Sequence, residues 1–392
     1  MPPRYHVSLD GWRGIAAILV MLHHFPSISP LYSSIFIKNS WLFVDFFFVL
    51  SGFVIAANYS DRLASDFSIS KFMALRLGRL YPLHFIVLMA FVAAEVLFYF
   101  AQGFMPDSPH EFFAGKTSIP GIFSSLTLTQ GWGFHEGLVW NGVAWSISTE
   151  ILAYSVFALL ASSFPKHRTL SMILLVAIAA VLIILQTTHI ISTNRFIDVA
   201  RCLMGFAIGV LLNNLYVFTI RRNFQKPGFT GFTALELSVT ALAISFVVFS
   251  SQFPAHISTA FVFAPAVFIF AFDRGLLSRL LSNRIFVLLG TLSYSIYMIH
   301  PFVQSRVMLP AGLLFQKLTG IDLLARNPLY PDAGYMWGST ALWANIITLI
   351  MLLIVIFLSY WTYRLIETPS REAVKRFLSR KPQIATIIHQ RT

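Results

Sequence analysis

The sequence predicts an all-α, polytopic integral membrane protein, a helical bundle of about ten transmembrane helices with cytoplasmic N- and C-termini. Three observations carry that prediction. Of 392 residues, 57% are hydrophobic and 11% charged, and the mean hydropathy is +0.73. Apolar runs recur along the whole chain, each long enough to supply the ~20 residues a helix needs to cross a bilayer. The basic residues collect in the short stretches between runs and favour alternate stretches, as the positive-inside rule expects.

Ten spans are read, at approximately 9–27, 41–57, 80–102, 140–163, 169–187, 196–214, 232–250, 257–272, 285–304 and 340–361. With the N-terminus inside, the inner loops carry Arg62, Lys71, Arg76 and Arg79, then Lys166 and Arg168, then Arg221, Arg222 and Lys226, then Arg274, Arg279 and Arg284. The tail adds Arg364, Arg371, Lys375, Arg376, Arg380, Lys381 and Arg391, whereas the outer loops hold Lys38, Lys116, Arg195, Arg306, Lys317 and Arg326. About twenty against six places both termini in the cytoplasm. The net charge of +12 is then a topology signal; no basic cluster sits on a soluble segment, so no nucleic-acid partner is expected. A secretory signal is the alternative for the first span, with Arg4 and Arg13 at its basic end and Ser27-Ile28-Ser29 at its cleavage site. The histidines and proline that follow the apolar core, and the alternation of all later loops, argue against it. The single cysteine, Cys202, lies inside an apolar run, so neither an internal disulfide nor a metal site is expected.

One membrane domain is read over residues 1–370, with a basic cytoplasmic tail, helical at the surface, over 371–392. Two outer connections, 103–139 and 305–339, are longer than the rest. The first, through Ile119-Pro120-Gly121-Ile122-Phe123 and Leu126-Thr127-Leu128, is apolar enough to dip into the membrane without crossing it. Irregular backbone at that depth requires protein or a wet cavity around it. Neither an internal repeat nor a soluble second domain is visible.

The first span carries the strongest functional signal. Arg13 and His24 are eleven residues apart, which on a helix returns them to within about 20° of one another. Ionisable groups at membrane depth mark functional sites by default, because they are costly unless they face a bundle interior or a polar cavity. The structural alternative is that Arg13 snorkels to the headgroups and His24 sits at the far interface. Asp45, near the outer start of the second span, falls near the level of His24, and Gly52 in the same span permits close helix approach. Glu150 falls near mid-depth in the fourth span, with Trp145, Ser146 and Thr149 within a turn or so. Ser293, Tyr297 and His300 share a face of the ninth span. Ordinary interhelical hydrogen bonding would equally place the serines and tyrosines there. Arg76 and Arg79, at i and i+3 before the third span, suit a phosphate-bearing ligand, since each guanidinium can fork onto phosphate oxygens. An inner loop is also expected to be basic for topology alone.

Taken in order, these motifs resemble the acyltransferase 3 family of integral membrane O-acyltransferases. The resemblance rests on Arg13-x10-His24, Val44-Asp45-Phe46-Phe47-Phe48-Val49-Leu50-Ser51-Gly52-Phe53, Arg76-x-x-Arg79-x-Tyr81-Pro82, Trp145-Ser146-x-Ser148-x-Glu150, Ser293-Tyr294-Ser295-Ile296-Tyr297 and Tyr363-Arg364-x-Ile366-Glu367-x-Pro369. It covers nearly the whole chain. One departure is His23 immediately before the motif histidine; another is that no esterase-like domain follows the tenth span.

The resemblance implies transfer of an acyl group, most often acetyl, from cytoplasmic acyl-coenzyme A to a hydroxyl of a sugar, cell-surface polysaccharide or glycolipid, within a bacterial inner membrane. Acetyl-coenzyme A would be a substrate, and no permanently bound cofactor is expected. His24 would be the base, a neutral imidazole taking the hydroxyl proton, or would carry the acyl group itself. Asp45 or Glu150 would orient its ring. Arg13, Arg76 and Arg79 would hold the coenzyme, and Trp145, Ser146, Tyr297 and His300 would line the substrate path. The competing class is a transporter or flippase that uses the same ionisable groups as a proton or substrate path. No inverted repeat and no matched pair of broken helices favours it.

Overall fold

The computed structural model describes residues 6–65, 67–101, 111–188, 196–222, 227–252, 254–326 and 335–379. Parts of both long outer connections (102–110 and 327–334) and the basic residues Arg4, Arg195, Lys226, Arg380, Lys381 and Arg391 lie outside the described residues.

Ten helices correspond to the ten expected spans: α1 (Val7–His23), α2 (Phe43–Leu63), α3 (Ile69–Ala101), α4 (Trp145–Ser163), α5 (Arg168–Thr187), α6 (Ile197–Arg221), α7 (Phe229–Phe249), α8 (Ala255–Phe270), α9 (Arg284–Phe302) and α10 (Ala341–Thr362). Eight of the helices are long and apolar enough to cross a membrane; α1, with 17 residues, and α8, with 16, are shorter. The protein is a polytopic, multi-pass integral membrane protein. Large apolar side chains such as Leu97, Leu174, Leu353 and Phe357 are exposed on the outside of the bundle, where lipid would solvate them.

Small residues set the closest helix contacts. Helix α1 lies along α9 in parallel: a Cβ on Gly14 would overlap Leu289 and Gly290, and one on Gly290 would overlap the Asp10 carbonyl. Helices α2 and α6 meet in the same way at Gly52 and Gly209, where an added Cβ would fall on the Phe206 and Val49 carbonyls. Without a hydrophobic drive between helices in lipid, such backbone proximity supplies the packing that associates them. The N-terminal end of α1 is pinned as well. The Asp273 carboxylate accepts from the N–H groups of Val7 (3.3 Å) and Ser8 (2.9 Å), and the Ser8 hydroxyl donates to the Phe270 carbonyl (2.8 Å). These contacts satisfy N–H groups that a helix start leaves open.

The first outer connection enters the bundle. Its helix, Ile119–Leu126, lies against α3: the Tyr81 hydroxyl donates to the Leu126 carbonyl at 3.0 Å, and His84 Nε2 lies 2.8 Å from that of Ser125. Tyr81 is twelve residues from the N-terminal start of α3, or about 18 Å at 1.5 Å per residue, so the segment reaches the middle of that helix. Ser148 Oγ then donates to the Leu128 carbonyl (2.7 Å) and accepts from Gly131 N–H (3.1 Å), which gives the irregular backbone its partners beside α4.

The second outer connection forms two short strands that the sequence reading did not anticipate, Leu324–Arg326 and Tyr335–Trp337, paired antiparallel. Trp337 clamps the chain just beyond α1: its N–H donates to the Pro26 carbonyl (3.0 Å), its carbonyl accepts from Ile28 N–H (3.0 Å), and its ring stacks on Phe25 at 5.7 Å. After α10, a π-helical turn, Tyr363–Glu367, leads into an amphipathic helix α11 (Thr368–Ser379). Helix α11 runs across residue 370 without a break and docks on α3, with Val374 seated against Gly78.

Candidate active site

A cavity of about 570 Å³ opens among α1, α2, α3, α4, α9 and the segment that enters α11. That volume falls in the range of about 300–1,000 Å³ usual for small-molecule sites. One end is cationic, with Arg13, Arg76, Arg79 and Arg371 on its wall beside Asp10 and Glu367. The other is closed by Phe47, Ser146 and Tyr297. The Ser146 and Tyr297 hydroxyls lie 2.9 Å apart and share the carbonyl of Val143, to which either can donate (3.1 and 3.0 Å).

Two arginines at the cationic end have protein partners. Arg13 Nη1 donates to Asp10 at 3.1 Å, one turn away on α1. Arg76 Nη2 donates to the Tyr59 hydroxyl at 2.8 Å, and the guanidinium lies over the same ring. Arg79 and Arg371 make no side-chain hydrogen bond or ion pair among the described residues. Glu367, buried below them, accepts from Ser295. Glu150 stands midway along the cavity. Its Oε1 accepts from Ser51 and from Tyr154, each at 2.5 Å, and the two hydroxyls are 3.0 Å apart. Tyr154 is at i+4 on Glu150's own helix; Ser51 comes from α2. Glu150 Oε2 has no protein donor among the described residues.

His24 lies beyond the closed end and is not on the cavity wall. It caps α1, with its Nδ1 2.8 Å from the carbonyl of Val20. Because a carbonyl only accepts, the neutral ring must carry its proton on Nδ1, which leaves Nε2 with the lone pair. His300 repeats this arrangement on α9: Nδ1 lies 3.1 Å from the Ile296 carbonyl, and Nε2 is buried with no hydrogen-bond partner among the described residues. The His24 and His300 rings are 5.2 Å apart, and the His300 and Tyr297 rings 6.0 Å. From the cavity outward the order is therefore Tyr297, His300, His24. The His23 ring meets that of His24 edge-on at 4.9 Å.

The carboxylates expected to orient His24 do not reach it. Among the described residues neither Asp45 nor Glu150 is bonded to that ring, and the Val20 carbonyl fixes the tautomer instead. Asp45 is engaged elsewhere, accepting from Arg201 Nη2 at 2.6 Å and Nε at 3.3 Å. Arg201 also donates to Asp198 at 2.8 Å, and its guanidinium lies over the rings of Trp41 and Trp145. Trp145 thus packs against this ion cluster and is absent from the cavity wall.

Residues 6–364 match the sequence profile of the acyltransferase 3 family, described as an acyltransferase domain. The chain belongs to the acyltransferase 3 family. Curated relatives include Protein 2 in the picA locus of Rhizobium radiobacter, 29% identical over 48% of this chain and 97% of that protein. Others are the acyltransferase MdmB of Streptomyces mycarofaciens, 28% identical over 43% of each chain, and BcsY of Komagataeibacter xylinus, 24% identical over 54% of this chain and 52% of its own length. The name of BcsY describes a membrane-bound transacylase. The matched region thus spans about half the length of MdmB and of BcsY. No solved structure matches the chain.

Within this member of the family, the sequence reading missed two arginines. Arg201 lies near the N-terminal end of α6, inside the sixth span, and a carboxylate one turn earlier, Asp198, is the sequence signal for it. Arg371 was counted as part of the tail, although α11 brings it to the cavity.

Proposed function

We propose that the protein transfers an acetyl group from acetyl-coenzyme A, entering from the cytoplasm, to a hydroxyl of a sugar, polysaccharide or glycolipid at the outer side of a bacterial inner membrane. The observation that carries this reading is the polarity of the cavity: guanidiniums crowd its open end, and two lone-pair imidazoles stand behind its closed end. The coenzyme phosphates suit the arginine end, and the thin pantetheine arm suits the channel that leads from it. Glu150 Oε2 is an acceptor for an amide N–H of that arm.

The thioester must pass the Ser146–Tyr297 barrier to meet His24. Its passage requires the Tyr297 side chain to give way, exchanging its hydroxyl bonds to Val143 and Ser146 and its ring contacts with Phe47 and His300 for others. His24 Nε2 then takes the proton of the acceptor hydroxyl as its oxygen attacks the thioester carbon. The C–S bond breaks, the ester forms, and the coenzyme thiolate collects the proton from the imidazolium. The Val20 carbonyl holds the ring throughout and keeps Nε2 the reacting nitrogen.

Labelled acetyl-coenzyme A supplied to purified protein with candidate glycan acceptors tests this reading. Label transfer that requires both substrates is expected. Coenzyme binding without transfer to any hydroxyl acceptor, or flux of a solute with no coenzyme requirement, overturns it in favour of transport. The orientation has its own check: reporters fused after Ser370 and after Arg222 should both report the cytoplasm, and either one outside reverses the direction from which the donor enters.

A further inference from the structure

Four guanidiniums face the cavity mouth, but they are not equally available. Arg13 is paired with Asp10 and Arg76 with the Tyr59 hydroxyl, whereas Arg79 and Arg371 have no hydrogen-bond or ion-pair partner among the described residues. Arg371 reaches this place because α11 docks on α3 at Gly78, the residue before Arg79: Val374, one turn beyond Arg371, fills the space a Cβ on Gly78 would take. Glu367 lines the same part of the cavity and accepts from Ser295, with no hydrogen bond or ion pair to Arg79 or Arg371 among the described residues. Two uncommitted guanidiniums on facing helices at the mouth of a cavity form a clamp for an anion with several oxygens.

We infer that Arg79 and Arg371 together form the phosphate clamp of this cavity, so that α11 is part of the donor site and not a tail outside it. The inference rests on the proposed coenzyme donor for its ligand, a phosphate or diphosphate group, but the clamp itself is argued from the geometry alone. Arg76, held by Tyr59, contributes field and wall more than a forked contact.

Binding is measured by calorimetry on the full chain in nanodiscs of phosphatidylcholine, with acetyl-coenzyme A and inorganic pyrophosphate as probes. The wild type is compared with Arg371→Gln, Arg371→Lys and Arg376→Gln, the last an exposed arginine on the same helix. Arg371→Gln should weaken both probes by roughly 10- to 100-fold, the range expected for losing charge-assisted bonds. Arg371→Lys, which keeps the charge and loses the fork, should fall between, and Arg376→Gln should stay within about twofold of wild type. In turnover assays the Arg371→Gln loss should raise KM for the donor and leave kcat near wild type; a helix merely loosened would lower kcat and would not be rescued by lysine. Arg371→Gln binding both probes within twofold of wild type overturns the clamp. If wild type binds pyrophosphate but not the coenzyme, and Arg371→Gln loses pyrophosphate, the clamp stands and the donor assignment fails. If adding phosphatidylglycerol to the discs abolishes pyrophosphate binding, the site belongs to lipid headgroups and the inference fails.

Discussion

His24→Ala should abolish acyl transfer while donor binding stays close to wild type. Deprotonation by a positioned base contributes about 10²–10⁴-fold, so the loss should appear in turnover. Binding should persist because the guanidiniums at the cavity mouth lie near the opposite end of α1: Arg13 and His24 are eleven residues apart, about 16 Å along the axis. His23→Ala should be milder. Its ring meets His24 edge-on, so its removal loosens a neighbour and takes away no reacting nitrogen. The assay is transfer from labelled acetyl-coenzyme A, with coenzyme binding measured on the same preparations after equal membrane insertion has been established. Wild-type rates from His24→Ala discard the mechanism. A dead His23→Ala beside a live His24→Ala moves the assignment back one residue.

Much of the fold was legible because the bilayer enforces it. Each span must satisfy its own backbone, so apolar length and loop charge indicated where the helices lie, although α3 begins eleven residues before the span read for it and α6 ends seven residues after its own. The re-entering segment was readable for the same reason: Ile119–Leu128 is too apolar for water and too short to cross. The two strands were not readable, since three residues on each side carry no periodicity. The site was legible along single helices and obscure between them. Tyr154 lies one turn from Glu150, so their bond follows from spacing, but Ser51 comes from a different helix and no spacing announces it. The carbonyl that fixes the His24 tautomer is also local, four residues back, and the expectation of a carboxylate partner overlooked it. Asp45 was read without its partner, 156 residues away on α6. A buried carboxylate demands a counter-charge, and a search for an arginine at matching depth would have found Arg201.

That pair supports the second large effect. Asp45→Ala should destabilise the folded protein by about 3–5 kcal/mol, because it leaves a buried guanidinium facing only the half-exposed Asp198. A loss of that size is a sizeable fraction of the ~5–15 kcal/mol that holds a typical domain folded. Arg201→Ala should be as severe, since it strands the carboxylate and frees two tryptophan faces. The double variant Asp45→Leu, Arg201→Met should recover much of the loss, because two buried charges cost several kcal/mol of desolvation that an apolar pair does not. Thermal unfolding in detergent, followed by tryptophan fluorescence, checks the order wild type, double variant, single variants. Asp45→Asn decides between stability and chemistry: it keeps the shape of the site and removes the charge. If Asp45 acts through Arg201, Asn should lower the unfolding temperature and leave the turnover of the folded fraction near wild type. An Asp45→Asn protein that unfolds like wild type and transfers no acyl group would place Asp45 in the reaction itself.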